Sequence, residues 1–343
     1  MTNFLVTGHT GFKGSWLTLL LDELGHQVSG LALDPEDPSL FSLCNLSEVV
    51  SQDIRGDIRD PKSVSRAMDI TQPQVVVHLA AQPLVRHSFE HPRETLTTNL
   101  MGTFNLLEAA QSSRSIEAVL IVTTDKVYAP KPLGSKADEA SALGGNDIYS
   151  ASKAAADLVA TAWSRSFTSF PLAIARGGNV IGGGDFGRDR LLPDAIAALE
   201  RAEPIELRYP SAVRPWQHVL DCLSGYLAIV SHLQTRKSGD YGGEQWNVGP
   251  AADDFASVQH VVELASESWG AEVEWTVSKT PSVDETRWLA LDSNRIEREL
   301  GWRGRLNLQQ AVEWTVQWHH SVHRGEDAQR VSRNQICRYL EDR

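Results

Sequence analysis

The chain has 343 residues, enough for two domains or for one large α/β domain with an appendage. Against 32 Lys and Arg stand 44 Asp and Glu, a formal charge of −12 with no basic block, which excludes a general nucleic-acid binder. A hydrophobic share of 41% with 22% charged residues excludes a disordered chain, and no apolar run reaches the ~18 residues of a membrane span.

Met1 to Gly8 carry no basic stretch ahead of their apolar run, so no secretory signal is expected. Residues 4–7 form a strand-like run ended by Gly8, and residues 14–24 place Trp16, Leu17, Leu20, Leu21 and Leu24 at helical spacing. Residues 28–33 read as a second strand, and Asp60-Pro61 opens a short helix over 63–68. The apolar run at 75–79 reads as a strand buried on both faces. A helix over 100–111, a buried strand over 118–122, a long helix over 149–167 and a strand over 172–176 follow. This alternation predicts an α/β fold, a Rossmann-type doubly wound parallel sheet. Beyond residue 179 it loosens into a Gly182-Gly183-Gly184-Asp185 loop and helices over 192–199, 219–230, 257–269 and 308–319. The polar tail after about residue 323 is expected to be a peripheral helix. The expected division is a dinucleotide-binding domain over 1–178, to which some later segments return, and a mainly substrate-binding domain over 179–343. Cys44, Cys222 and Cys337 are odd in number and far apart, which predicts reduced thiols in a cytoplasmic protein. No cluster of His, Cys, Asp and Glu has metal-ligand spacing, so no metal is expected.

The first strand runs into Gly8-His9-Thr10-Gly11-Phe12-Lys13-Gly14 and then a helix. Glycines in that place allow a tight turn, let the backbone approach a pyrophosphate and offer it a helix N-terminus. Asp34 ends the second strand about twenty residues on, where a carboxylate accepts from a ribose diol and favours NAD over its 2′-phosphate; Asp37 is a nearby alternative. Asp57 and Ile58 follow the expected third strand and face the adenine, or Asp57 serves only as a helix cap. His78 reads as a satisfied core histidine, His9 as packing within the turn, and Trp163, Trp216 and Trp269 as core or interface.

Tyr149 and Lys153 form a YxxxK pair on one face of the long helix. A neighbouring ammonium lowers a phenol's pKa, so this pair predicts a tyrosine base. The pair follows Thr123-Thr124-Asp125-Lys126, a hydroxyl, acid and amine at a strand's carboxyl end, where sheets of this kind bind ligands.

In these residues the chain resembles the extended short-chain dehydrogenase/reductases, and among them the NAD-dependent sugar-nucleotide 4,6-dehydratases. The likeness is carried by residues 6–16 (VTGHTGFKGSW), 38–41 (PSLF), 78–86 (HLAAQPLVR), Thr98-Asn99, 101–103 (MGT), 124–128 (TDKVY), 149–153 (YSASK), 176–185 (RGGNVIGGGD), Arg190-Leu191, Pro193-Asp194 and 214–219 (RPWQHV). It is nearest to the branch acting on CDP-glucose, which has Asp-Lys where the dTDP-glucose branch has Asp-Glu. Segment 129–145 departs from that branch in being shorter and less aromatic.

The resemblance implies catalysis by Thr124, Asp125, Lys126, Tyr149 and Lys153. In that scheme Tyr149 takes the 4-OH proton, Lys153 lowers its pKa and holds the nicotinamide ribose, and Thr124 bonds the 4-oxygen. Protonated Asp125 and neutral Lys126 serve the elimination of water, Lys126 as base at C5 or only as the group that orients Asp125. Bound NAD is implied on Gly8, Thr10, Gly11, Phe12, Lys13, Gly14, Asp34, Asp57, Ile58, Leu79, Ala80, Ala81, Thr98, Tyr149 and Lys153. Substrate contacts are implied for Gln82, Arg86, Ser88, Thr124, Asn179, Arg190, Leu191, Arg208, Arg214 and Arg287. The product expected is CDP-4-dehydro-6-deoxyglucose, a deoxysugar precursor of the kind used for lipopolysaccharide O-antigen. A homodimer or homotetramer is implied, joined through the helices over 100–111 and 149–167. The alternatives are another NDP-glucose as substrate (dTDP, UDP or GDP), a sugar-nucleotide 4-epimerase, and a non-catalytic NAD-binding module.

Overall fold

The structure is a computed structural model describing residues 1–167, 170–236, 243–250, 255–271, 274–278 and 286–341. Its strands are β1 (Asn3–Thr7), β2 (Gln27–Ala32), β3 (Gln52–Arg55), β4 (Val75–His78), β5 (Ala118–Thr124), β6 (Leu172–Gly177), β7 (Asn179–Ile181), β8 (Ile205–Leu207), β9 (Val213–His218), β10 (Glu244–Val248), β11 (Phe255–Ser257) and β12 (Trp275–Val277). Seven of them form one parallel sheet in the order β10-β6-β5-β4-β1-β2-β3.

Successive strand residues point to opposite faces, so each strand feeds two cores. Val6, Val28, Val77, Leu120, Val122 and Ala175 face the helices Phe12–Glu23, Val219–Thr235 and Leu308–His323. Leu5, Leu31, Val76, Val119, Ile121 and Ile174 face the helices Pro61–Thr71, Gly102–Ser112 and Ile148–Ser166. Helices on both faces explain the uninterrupted apolar runs. The strand order reverses between β1 and β4, β2 and β3 being added on one side and β5 and β6 on the other, which opens a crevice at their carboxyl ends.

The predicted helices over 192–199, 219–230, 257–269 and 308–319 are found as Leu191–Arg201, Val219–Thr235, Val258–Trp269 and Leu308–His323. Leu191–Arg201, Val258–Trp269 and Leu308–His323 pack with the small sheets β11-β9-β7 and β12-β8 into the wall facing the carboxyl edge of the large sheet, while Val219–Thr235 covers one of its faces. Two features depart from the sequence reading. β10 has too few apolar residues to read as a strand, yet it pairs with β6 at the sheet edge. The tail is a helix, Ala328–Glu341, but not a peripheral one. Ala328, Ser332, Ile336 and Tyr339 share its buried face against the first helix, where Arg333 pairs with Asp22 and Glu23.

His78 is satisfied in the core, with Thr7 Oγ1 at 2.7 Å from Nδ1 and Thr103 Oγ1 at 3.2 Å from Nε2. Burial pushes His78 and His218 down to about 3 and His319 down to about 4. The unfolded chain therefore binds protons near the ordinary 6.5 that the native state refuses, and stability falls on acidification. We expect each of the three to contribute a loss of about 1.4 kcal/mol per pH unit below 6.5 and above its own depressed value. Denaturant midpoints measured across that window would test this; a flat profile would count against neutral buried histidines.

Candidate active site

A cleft of about 1460 Å³ runs along the carboxyl ends of β1, β2, β4 and β5, roofed by residues 178–194, 205–214 and 286–290. At one end lies the glycine turn. Gly8 has φ +75°, and a Cβ there would stand 2.8 Å from the Ala80 nitrogen. A Cβ on Gly14 would stand 2.1 Å from the Gly8 carbonyl oxygen, so helix and turn touch backbone to backbone. On Gly11 a Cβ would meet only that oxygen, at 3.4 Å, which leaves the turn open toward the cleft. No side chain caps the helix Phe12–Glu23, so its first amides remain for an anion. The turn thus fits a dinucleotide diphosphate. Thr10, Asp34, Asp57, Ile58, Leu79, Ala80, Ala81 and Thr98 line the same arm. Asp34 is open to solvent, and Asp57 is engaged by Arg59 at 2.6 Å. His9 packs under the turn, its Nε2 2.8 Å from Asp53, as expected of a structural residue. Lys13 lines the cleft, but its ammonium turns inward and donates to the Tyr226 hydroxyl at 3.2 Å.

At the centre, β5 ends in Thr124. Its hydroxyl donates to Asp125 Oδ1 at 2.9 Å, and Lys126 Nζ donates to the same oxygen at 3.2 Å. The other oxygen, Oδ2, is buried and has no partner among the described residues. Asp147 caps the helix Ile148–Ser166 by accepting from the Ser150 amide at 2.9 Å, which fixes Tyr149 in the first turn beside Thr124. Lys153 follows one turn on, just behind the cleft wall, and donates to the Val122 carbonyl at 3.1 Å.

Burial pushes the Tyr149 phenol up to about 12, against the Thr124 hydrogen bond and the Arg190 charge, which lower it. Lys153 is itself brought down to about 7, first by burial and then by the Lys13 charge. In both groups burial is the largest cause, because it disfavours the charged form of each.

The far arm carries the arginines. Arg190 Nη1 donates to both Asp185 oxygens at 2.9 Å, and Arg86 Nη1 to Asp189 Oδ1 at 2.9 Å. Arg208 donates to the Asp189 carbonyl at 3.2 Å, and buried Arg214 to the Val213 carbonyl at 2.9 Å. Leu191 and exposed Arg287 line this arm, as does Asn179, whose Oδ1 is buried without a partner among the described residues.

Two expected substrate residues lack an available group. Ser88 faces inward from the helix Val85–Glu90, is fully buried, lies outside the cleft wall and donates to the Val85 carbonyl at 2.6 Å. The Gln82 amide lines the cleft, but it is held by Thr95 and by the backbone of Leu84. The reading that no cluster has metal-ligand spacing is also corrected. His87, His91 and Glu94 bring three ligand-type atoms within 4.8 Å of one another. Sequence reasoning passed over Asp185 and Asp189 as partners of the arginines; the run of Asp and Arg from 185 to 194 is the signal that could have found them.

The chain belongs to the NAD dependent epimerase/dehydratase family, whose profile matches residues 4–249. It is 41% identical to the CDP-glucose 4,6-dehydratase of Salmonella typhimurium strain LT2, over 98% of this chain and 95% of that protein. It is 28% identical to the dTDP-glucose 4,6-dehydratase of Shigella flexneri, over 92% of each. Among solved structures, the dTDP-glucose 4,6-dehydratase of Bacillus anthracis in complex with NAD superposes with a TM-score of 0.78 at 23% identity, covering 94% of this chain and 97% of that one. The UDP-glucuronic acid 4-epimerase of Bacillus cereus gives 0.81 at 23% identity, covering 93% and 99%. These two likenesses establish the fold.

Proposed function

We propose that the protein removes water from CDP-glucose to give CDP-4-dehydro-6-deoxyglucose, with NAD held along the glycine turn. The observation that carries this reading is the buried Asp125 carboxylate, one oxygen bound by Thr124 and Lys126 and the other left for a ligand, beside Tyr149. An epimerase, which only oxidises and reduces C4, has no use for that acid–amine pair. The 41% identity to a CDP-glucose 4,6-dehydratase supports the same choice among nucleotides.

The residues divide the work by position. Thr124 binds the sugar 4-oxygen and Tyr149 receives its proton. The glycine turn would hold NAD, which would supply the acceptor for the C4 hydride and its donor to C6, and the proton that completes C5 would come back from Lys126 Nζ. The ketone at C4 makes the C5 proton acidic. Lys126 Nζ takes that proton, and Asp125 gives one to the departing 6-oxygen, which leaves as water. A proton passed from Lys126 to Asp125 along their 3.2 Å contact sets up both roles at once. Arg190, Arg86, Arg208 and Arg214 supply cations for the diphosphate; a guanidinium fork matches phosphate oxygens. We read residues 1–178 with β10 as the cofactor domain and most of the remainder as the substrate domain.

Phe89, Leu96, Met101, Leu158 and Phe167 are exposed apolar side chains around the packed helices Gly102–Ser112 and Ile148–Ser166. We take this face as the seam of a homodimer, extended to a tetramer if a second face closes. No described helix is long and apolar enough to cross a membrane, and the three thiols are free. Both fit a cytoplasmic enzyme.

The test is turnover of CDP-, dTDP-, UDP- and GDP-glucose in D2O, read by mass spectrometry and NMR. The expected outcome is loss of water from CDP-glucose in preference to the others, with deuterium at C5. Product of unchanged mass with inverted C4 would establish an epimerase instead.

A further inference from the structure

We propose that the Asp194 carboxylate recognises the exocyclic amine of a cytosine base and thereby selects the nucleotide of the substrate. The proposal deepens the sugar-nucleotide reading above and rests on it for the orientation of the ligand.

The argument begins with position. Arg190 stands at the start of the helix Leu191–Arg201, close enough to Tyr149 to act on its charge. Asp194 lies four residues further, about one helical turn, and its amide donates to the Arg190 carbonyl at 3.1 Å. A ligand with its sugar at Tyr149 and its diphosphate at the arginines therefore carries its base past Arg190 toward Asp194 and β8. Leu191 lines the cleft there, and the buried side chains of Ile205 and Leu207 back its wall with apolar atoms.

Next comes availability. Asp185 is spent on Arg190, and Asp189 on Arg86 and Arg208. Asp194 is exposed to the cleft, and its carboxylate receives no hydrogen bond among the described residues. The cleft walls and Asp189 push it up to about 6, while Arg208 and Arg86 oppose them. At neutral pH it is thus a carboxylate without a fixed donor, in a place where diphosphate recognition alone would call for cations.

The chemistry then distinguishes the bases. A carboxylate only accepts hydrogen bonds. Cytosine presents an amino donor at C4, whereas uracil and thymine present a carbonyl oxygen at the same position, and acidic side chains pair with the cytosine amine. Asp194 attracts the first and repels the other two. Glu206, the neighbouring acid on β8, is exposed and serves as the control.

The experiment compares Asp194→Asn, Asp194→Ala and Glu206→Gln with the unaltered protein. CDP and UDP binding is measured by calorimetry, and kcat/KM for CDP-, UDP- and dTDP-glucose by product formation. Both Asp194 variants should bind CDP about 10- to 100-fold more weakly, the range for one hydrogen bond to a charged group. UDP should bind Asp194→Asn as well as or better than the unaltered protein, because an amide can donate to O4. Equal losses for both nucleotides, no loss, or a loss that follows Glu206→Gln would overturn the proposal. If the unaltered protein turns over no NDP-glucose yet its CDP preference depends on Asp194, the dehydratase reading fails and the recognition stands.

Discussion

Replacement of Tyr149 by phenylalanine should lower turnover by about 10²- to 10⁴-fold, the range supplied by a positioned acid–base group. Tyr149 is the buried hydroxyl that meets Thr124 at the end of β5, and the scheme above gives it the first proton to move. Without that transfer, oxidation at C4 stalls and neither dehydration nor exchange at C5 follows. Because burial holds the phenol at about 12, the phenolate is scarce at neutral pH, and activity should climb with pH in the unaltered protein. The variant should lose that rise while keeping its melting temperature within a few degrees, since the ring still fills its place. Single-turnover absorbance of the reduced nicotinamide, taken across pH, is the measurement. A variant that still oxidises C4 at an undiminished rate would remove Tyr149 from the reaction.

The second large effect separates the two halves of the reaction. Asp125→Asn should leave C4 oxidation measurable and slow the loss of water by about 10²- to 10⁴-fold. Asparagine can keep a bond to Thr124 but cannot supply an acidic proton to the leaving oxygen. Lys126→Ala should stop deuterium entry at C5 while C4 is still oxidised, so reduced nicotinamide should accumulate in both variants. Rapid-quench NMR of the sugar resolves the steps. If Lys126→Ala retains exchange at C5, the lysine only orients Asp125; if Asp125→Asn slows oxidation as much as elimination, the carboxylate only positions substrate.

The sheet was legible wherever strands are buried on both faces, because such strands must be continuously apolar. Residues 75–78 and 118–124 are buried throughout. β10 was illegible for the opposite reason. In Glu244–Val248 only Trp246 and Val248 are apolar, and Gln245 and Asn247 are polar residues held by Thr161, Ala137 and Asp292. A short polar strand owes its place to partners far off in the chain. The glycine turn, Thr124 to Lys126 and Tyr149 were legible because each sits at a strand end or helix start, and the fold alone brings such positions to one cleft.

What sequence could not supply was direction. Ser88 faces inward, Lys13 turns to Tyr226, and Asp185 and Asp189 hold arginines that read as open cations. The histidine cluster does carry a sequence signal, since His87, His91 and Glu94 stand at i, i+4 and i+7, but Pro92 splits that stretch into the helices Val85–Glu90 and Pro92–Leu96.

The edge strand β10 also bears on how the molecule is made. During synthesis the first six strands of the large sheet emerge well before residues 244–248, and until then the backbone of β6 offers an open, untwinned row of amides and carbonyls. Open parallel edges invite pairing with other chains, and long-range parallel pairing forms slowly. The amino-terminal half is thus a nascent intermediate whose last seam is sewn by a segment it must wait for, and a fragment ending near residue 178 would carry that exposed edge permanently.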